Sequence, residues 1–170
     1  MKTEGAKNTA DIKNVAADLY WLAFLLTGRH DISIEIAADV AASQDHASAF
    51  FGDWMRAWQR RLVIGNALAA VRDELADSAR RTEIAQTATP RGLSLSPSVT
   101  KADLERALLA IDLFPRASVL LLVFEGVKIA DAATLLDATP NLIKKAQAIG
   151  LLELTANLGA ADAPAVSAPA

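Results

Sequence analysis

The apolar positions of this chain recur at helical spacing. From Asp11 to Thr27, the residues Ile12, Val15, Ala16, Leu19, Leu22, Ala23 and Leu26 stand three and four apart on one face. Tyr20, Trp21 and Phe24 broaden that face, which predicts a helix covered on more than one side. Thr27-Gly28 ends it. Asp31 or Ser33 opens a second helix, with Ile32, Ile36, Ala37 and Val40 inward and Glu35 and Asp39 outward. Residues 43–53 connect it to the longest predicted helix, Asp53 to Arg81. That helix carries Trp54, Met55, Trp58, Leu62, Val63, Leu68, Val71 and Leu75, with both tryptophans read as core.

The pattern then lapses. Residues 82–99 hold Pro90, Pro97, Gly92 and many Ser and Thr residues, the composition of a flexible linker. Thr100-Lys101-Ala102-Asp103 resembles a capping box and restarts a helix through Ile111. Pro115 is placed to open the next helix, whose apolar face is Leu120, Leu121, Val123 and Phe124. Glu125-Gly126 breaks it, because glycine readily takes the left-handed conformation that ends helices. A short helix follows from about Lys128 to Leu136. Asp137-Ala138-Thr139-Pro140 turns the chain, with Thr139 as N-cap and Pro140 at the first helical position. The last helix sets Leu142, Ile143, Ala146, Ile149 and Gly150 on one side and Asn141, Lys144, Lys145 and Gln147 elsewhere. A short helix, a turn of about four residues and a second helix with polar residues near its start is the helix-turn-helix pattern. The expected architecture is all-α. Two small helical modules, residues 11–81 and 100–158, are joined by the linker 82–99 and followed by an Ala/Pro-rich disordered tail, 159–170.

Composition narrows the function. The chain has 170 residues, 52% of them hydrophobic and only 5% aromatic, which suits packed helices. It has no cysteine, so disulfides, thiolate metal sites and cysteine nucleophiles are excluded. His30 and His46 are too few and too isolated for a histidine metal site. No cofactor or metal is expected. No glycine-rich phosphate loop, H-E-x-x-H or nucleophile elbow points to an enzyme. No targeting segment is evident, and the apolar run Tyr20–Leu26 is too short to span a bilayer. The net charge of −3 does not suit a sequence-nonspecific nucleic-acid binder, so any such contact has to be local and assisted by a partner.

Glu125-Gly126-Val127-Lys128-Ile129, then Ala133, Leu136, Thr139-Pro140-Asn141-Leu142-Ile143 and Lys144, resembles the fourth conserved region of bacterial RNA polymerase sigma factors of the extracytoplasmic-function group. Leu19–Gly28 followed by Asp31 resembles the start of the second conserved region. Trp58-Gln59-Arg60-Arg61-Leu62-Val63-Ile64 with Asn66 resembles a later helix of that region. The resemblance covers roughly residues 15–155. It departs from the family at Asp137, where glycine is usual, at Ala146 and Ile149, where arginines are usual, and at Ala38 and Ala41, where glutamine and phenylalanine are usual.

The resemblance implies a bacterial cytoplasmic transcription protein. Its N-terminal module would dock on core RNA polymerase, and its C-terminal helix-turn-helix would contact promoter DNA. An anti-sigma factor is a further implied partner. It assigns polymerase contact to Asp31, Glu35 and Asp39. It assigns DNA contact to Lys128, Thr139, Asn141, Lys144, Lys145 and Gln147, and to Arg56, Arg60 and Arg61 in the N-terminal module. From the residues themselves, Lys144 and Lys145 suit phosphate or base contact, and equally a solvated helix face. A degenerate sigma-like protein acting by protein–protein contact without promoter recognition is the alternative function.

Overall fold

A computed structural model describes residues 3–42, 52–86, 89 and 98–161. Among these residues there are eight α-helices and no strand: α1 (Thr3–Thr27), α2 (His30–Ala42), α3 (Gly52–Ala70), α4 (Arg72–Ile84), α5 (Lys101–Leu109), α6 (Leu113–Val119), α7 (Ile129–Leu135) and α8 (Pro140–Ala161). The chain divides into two compact units, Met1–Asp73 and Glu74–Ala170.

In the N-terminal unit, α1, α2 and α3 pack on one another. The core is Leu19, Leu22 to Leu26, Ile36, Ala37, Val40, Val63, Ile64, Ala67 and Leu68. The α1–α2 corner is built by Thr27 and Gly28. Gly28 has φ 70°, and its N–H donates to Phe24 O, closing α1. Buried Thr27 donates through Oγ1 to Ala23 O, receives the Arg29 N–H and bonds Ser33 Oγ, so one side chain ends α1 and anchors α2. This lets α2 begin at His30, ahead of the expected Asp31 or Ser33. Tyr20, Phe24 and His30 stack across the corner, with the Tyr20 hydroxyl bonded to His30 Nδ1.

Two expectations for this region are corrected. The long third helix is two helices, interrupted at Val71. The tryptophans are not core: Trp54 is 63% and Trp58 37% exposed. Their places are taken by Gln59, Val63 and Ala67, one turn apart on the inward face. Gln59 is fully buried, and neither polar atom of its amide has a hydrogen-bond partner among the described residues.

In the C-terminal unit the capping box is present as read. Thr100 Oγ1 accepts the Asp103 N–H, and Asp103 accepts the Thr100 N–H. The next helix begins at Leu113 rather than at Pro115, because Asp112 is its N-cap and accepts the Leu113 N–H. Arg116 is buried and donates to Leu109 O and Ile111 O, which closes the end of α5. Past Val119 the helix widens into a π-turn, Leu120–Phe124, with Glu125 N–H bonded to Leu120 O. Gly126, at φ 63°, then reverses the chain.

α6 and α8 cross closely at Gly150. A β-carbon there would stand 2.8 Å from Pro115 O and 2.6 Å from Val119 Cγ2. α6 and α8 pack on each other, and Phe114 of α6 and Ile143, Ala146 and Leu154 of α8 are all buried. Asn157 ties α8 to α5 through Ala107 O. α8 continues to Ala161, beyond the expected end at Leu158, and residues 162–170 of the expected tail lie outside the described residues. Of the expected linker, Thr82–Ile84 close α4, while 87, 88 and 90–97 are outside the described residues.

Candidate nucleic-acid interface

The turn between α7 and α8 is a complete Schellman closure. Asp137 N–H bonds Thr134 O, and Ala138 N–H bonds Ala133 O. Asp137 has φ 49°, so it takes the left-handed conformation at the position where glycine would be easiest. Thr139 then caps α8, its Oγ1 accepting the Leu142 N–H at 3.2 Å. Lys128 is the exposed N-cap of α7, without a side-chain capping bond. Ala132, Ala133, Leu136 and Ile143 are buried, so apolar packing holds the two helices together.

The polar residues of α8 are unequal. Asn141 and Lys144 are exposed at its start, and Gln147 is half-buried. Lys145 is half-buried, and its Nζ donates to the Glu83 carbonyl oxygen at 2.7 Å. Nothing in the spacing of α8 signals that bond, since the partner is 62 residues earlier in the chain.

Glu83 belongs to α4, which is tied to the C-terminal unit at two more points. Arg81 Nε and Nη2 donate to the two carboxylate oxygens of Asp112 at 2.9 and 2.8 Å. The Phe114 N–H donates to Ser78 Oγ at 2.8 Å. The Arg81 bond is the main influence holding the Asp112 carboxyl below the usual carboxylate range. Glu153 is shifted the other way: burial, then the Asp112 charge, raises it. None of these ties was read from the sequence. A weak signal was available in Ser78 and Thr82, two small hydroxyls four apart on an otherwise charged helix.

In the N-terminal unit the three candidate arginines are not brought together. Arg61 shares a stripe with Trp54 and Trp58, at i, i+4 and i+7. Arg56 and Arg60 share the opposite side of α3, Arg56 exposed and Arg60 half-buried. On α2, Asp31, Glu35 and Asp39 form one exposed stripe at i, i+4 and i+8, with exposed Ile34 beside Glu35. Like charges at that spacing cost about 0.2–0.5 kcal/mol per pair, while Asp31, in the first turn of α2, meets the positive end of the helix dipole.

Among the described residues no cluster of three or more His, Asp or Glu side chains is placed to hold a metal, and no helix is long and apolar enough to cross a membrane.

No protein-family model matches this chain. No curated protein sequence matches it. Its fold is similar to that in the co-crystal structure of the sigma factor RpoE in complex with the anti-sigma factor NepR from Bartonella quintana. The TM-score is 0.53 at 15% identity, over 90% of this chain and 97% of that one. The fold is therefore sigma-factor-like and all-α.

Proposed function

We propose that this chain is a bacterial, cytoplasmic sigma-factor-like transcription protein. Its N-terminal unit binds core RNA polymerase, and α7 and α8 form a helix-turn-helix that reads promoter DNA. The observation that carries the reading is the α7–α8 arrangement. A Schellman-closed short helix feeds a Thr139-capped longer one, and the exposed Asn141 and Lys144 stand at its start. In a helix-turn-helix the first residues of the second helix reach base edges while nearby cations meet phosphates. The sigma-factor-like fold supports the same assignment.

The α2 stripe Asp31, Glu35 and Asp39 supplies the acidic face for a basic groove on polymerase. The α3 stripe Trp54, Trp58 and Arg61 adds a second nucleic-acid surface. Exposed aromatic rings beside a guanidinium offer stacking to unpaired bases, worth about 1–3 kcal/mol per base. An anti-sigma factor is a further proposed partner. The RpoE structure was solved with one bound, and an anti-sigma factor would need the apolar residues left exposed here, among them Ile34.

Two measurements test the reading. The purified chain should be retained by bacterial core polymerase at near-physiological salt and support promoter-dependent transcription. No association would sink the polymerase assignment. Lys144→Glu should abolish binding to a promoter fragment with helical circular dichroism intact. Equal binding by the variant removes α8 as the reading helix.

A further inference from the structure

The outward face of α3 carries one line of residues, Trp54, Trp58, Arg61 and Gly65, away from the core line Gln59, Val63 and Ala67. Both indoles and the Arg61 side chain are exposed, and a β-carbon on Gly65 would meet nothing within 4 Å. Tryptophan and arginine are the side chains that most often dominate binding between proteins. Two indoles left in water one turn apart therefore call for an occupant.

The spacing of the line points to one. Its steps are four, three and four residues. A mean step of about 3.5 residues is the seam of two helices packed at a shallow angle. The order of steps also reads the same in both directions. Laid antiparallel on a second copy of itself, the line therefore brings all four positions into register at once. Trp54 falls on Gly65 of the partner subunit, and Trp58 on Arg61 of the partner subunit, with both pairs made twice.

Both pairs are complementary. The bulkiest side chain meets the position that has none, which lets two helix axes approach to the usual 8–10 Å. The guanidinium meets an indole face, whose negative quadrupole attracts cations. A parallel alignment in the same register would instead set Trp54 on Trp54 and Arg61 on Arg61, a steric conflict and a repulsion between like charges.

We propose that α3 pairs antiparallel with α3 of a second copy of this chain, about a two-fold axis between Trp58 and Arg61. The interface is isologous, so it closes at the dimer. It uses one face of one helix per copy and belongs with the small, transient contacts below about 1,200 Å². The dimer therefore forms as the concentration rises and dissociates on dilution. The pairing requires nothing of the nucleic-acid reading of the same side chains. Where that reading holds, pairing and stacking on unpaired bases exclude each other.

Sedimentation equilibrium of the full chain, from micromolar to millimolar concentration, tests the pairing. The mean mass should rise from 18.0 kDa toward twice that value. Arg61→Gln should weaken association on the order of tenfold, because the two-fold axis removes two cation–π contacts at once. Gly65→Trp should abolish it by setting indole against indole. Combining Gly65→Trp with Trp54→Ala should restore it, because large and small positions are then exchanged in the same register. Circular dichroism establishes that each variant is folded. A parent chain monomeric throughout overturns the proposal. So does a dimer that survives Arg61→Gln and Gly65→Trp unchanged, which would lie on another surface. A dimer lost in folded Gly65→Trp and not regained in the combined variant overturns the antiparallel register and the proposal with it.

Discussion

Gly150→Ala sets two effects of opposite sign against each other. In an exposed helix interior, alanine in place of glycine stabilises by about 1 kcal/mol. At Gly150 the new β-carbon meets the Pro115 carbonyl oxygen at 2.8 Å and its carbon at 3.2 Å, as well as Val119 Cγ2 at 2.6 Å. Val119 is fully buried and, as a β-branched residue in a helix, holds one preferred rotamer, and the Pro115 backbone is fixed in α6, so neither neighbour gives way cheaply. Restoring an ordinary contact of 3.4 Å to that oxygen moves α8 outward by about 0.6 Å. A gap of about 0.5–1 Å forfeits a quarter to a half of each dispersion contact across it. The contacts at stake are those between α6 and α8, on which Phe114, Ile143, Ala146 and Leu154 are buried. Overpacking of this kind costs about 1–3 kcal/mol, so the expected net effect is a loss of up to about 2 kcal/mol after the helix-propensity gain of about 1 kcal/mol.

The chain supplies its own internal control. Its three tryptophans, Trp21, Trp54 and Trp58, all lie in the N-terminal unit, whereas far-ultraviolet circular dichroism reports helices of both units. In urea titrations of Gly150→Ala the circular dichroism transition should shift to lower denaturant while the tryptophan transition stays in place. Gly65→Ala, on exposed α3 with open space around the new carbon, should do the reverse and stabilise the tryptophan-reported transition by up to about 1 kcal/mol. A Gly150→Ala chain more stable than its parent, by the gain of about 1 kcal/mol expected where the new carbon meets open space, would refute the close α6–α8 crossing.

Three further substitutions test other elements. Asp137→Gly removes the cost of a non-glycine residue at φ 49° and should stabilise the C-terminal unit by about 0.5–1 kcal/mol in thermal melts followed by circular dichroism; a loss would mean that the aspartate side chain itself holds the turn. Gln59→Met replaces a fully buried amide that has no partner among the described residues with an apolar chain of similar length, and should raise the tryptophan-reported stability by about 1–3 kcal/mol; destabilisation would show that the amide is satisfied in solution. Glu153 has its folded-state pKa raised, so its contribution to stability is full below the ordinary glutamate range and is lost as pH rises through the folded value. Glu153→Gln should therefore stabilise the C-terminal unit at neutral pH and lose that advantage in acid, checked by melts at both pH values; an advantage independent of pH would point to packing instead.

The elements carried by strong local signals were legible in the sequence. The Thr100–Asp103 capping box, the Thr139-Pro140 start of α8 and the glycine at position 126 act through nearest neighbours, and each does locally what its residue type favours. The break at Val71 was not legible, because Ala70-Val71-Arg72 contains neither glycine nor proline and its apolar spacing continues across the break. Trp54 and Trp58 were read as core on the usual behaviour of large aromatics, but Gln59, Val63 and Ala67 fill that face instead. Of the candidate site, the exposure of Asn141 and Lys144 followed from their periodicity. The fate of Lys145 did not, because it depends on a carbonyl far away in the chain that no helical period can report.

The π-turn at Leu120–Phe124 has a consequence for comparing chains by their letters. A turn closed between Glu125 N–H and Leu120 O holds one residue more than an α-turn, so the chain carries one residue more here than a regular helix would over the same stretch. An ungapped alignment to a relative whose corresponding helix is regular slips by one position there. Each residue on one side of the slip is then matched to a neighbour about 100° around the helix. Glu125, Gly126 and everything up to Lys144 lie downstream of that point. A gap placed inside Leu120–Phe124, rather than in the loop after it, is the alignment the backbone calls for.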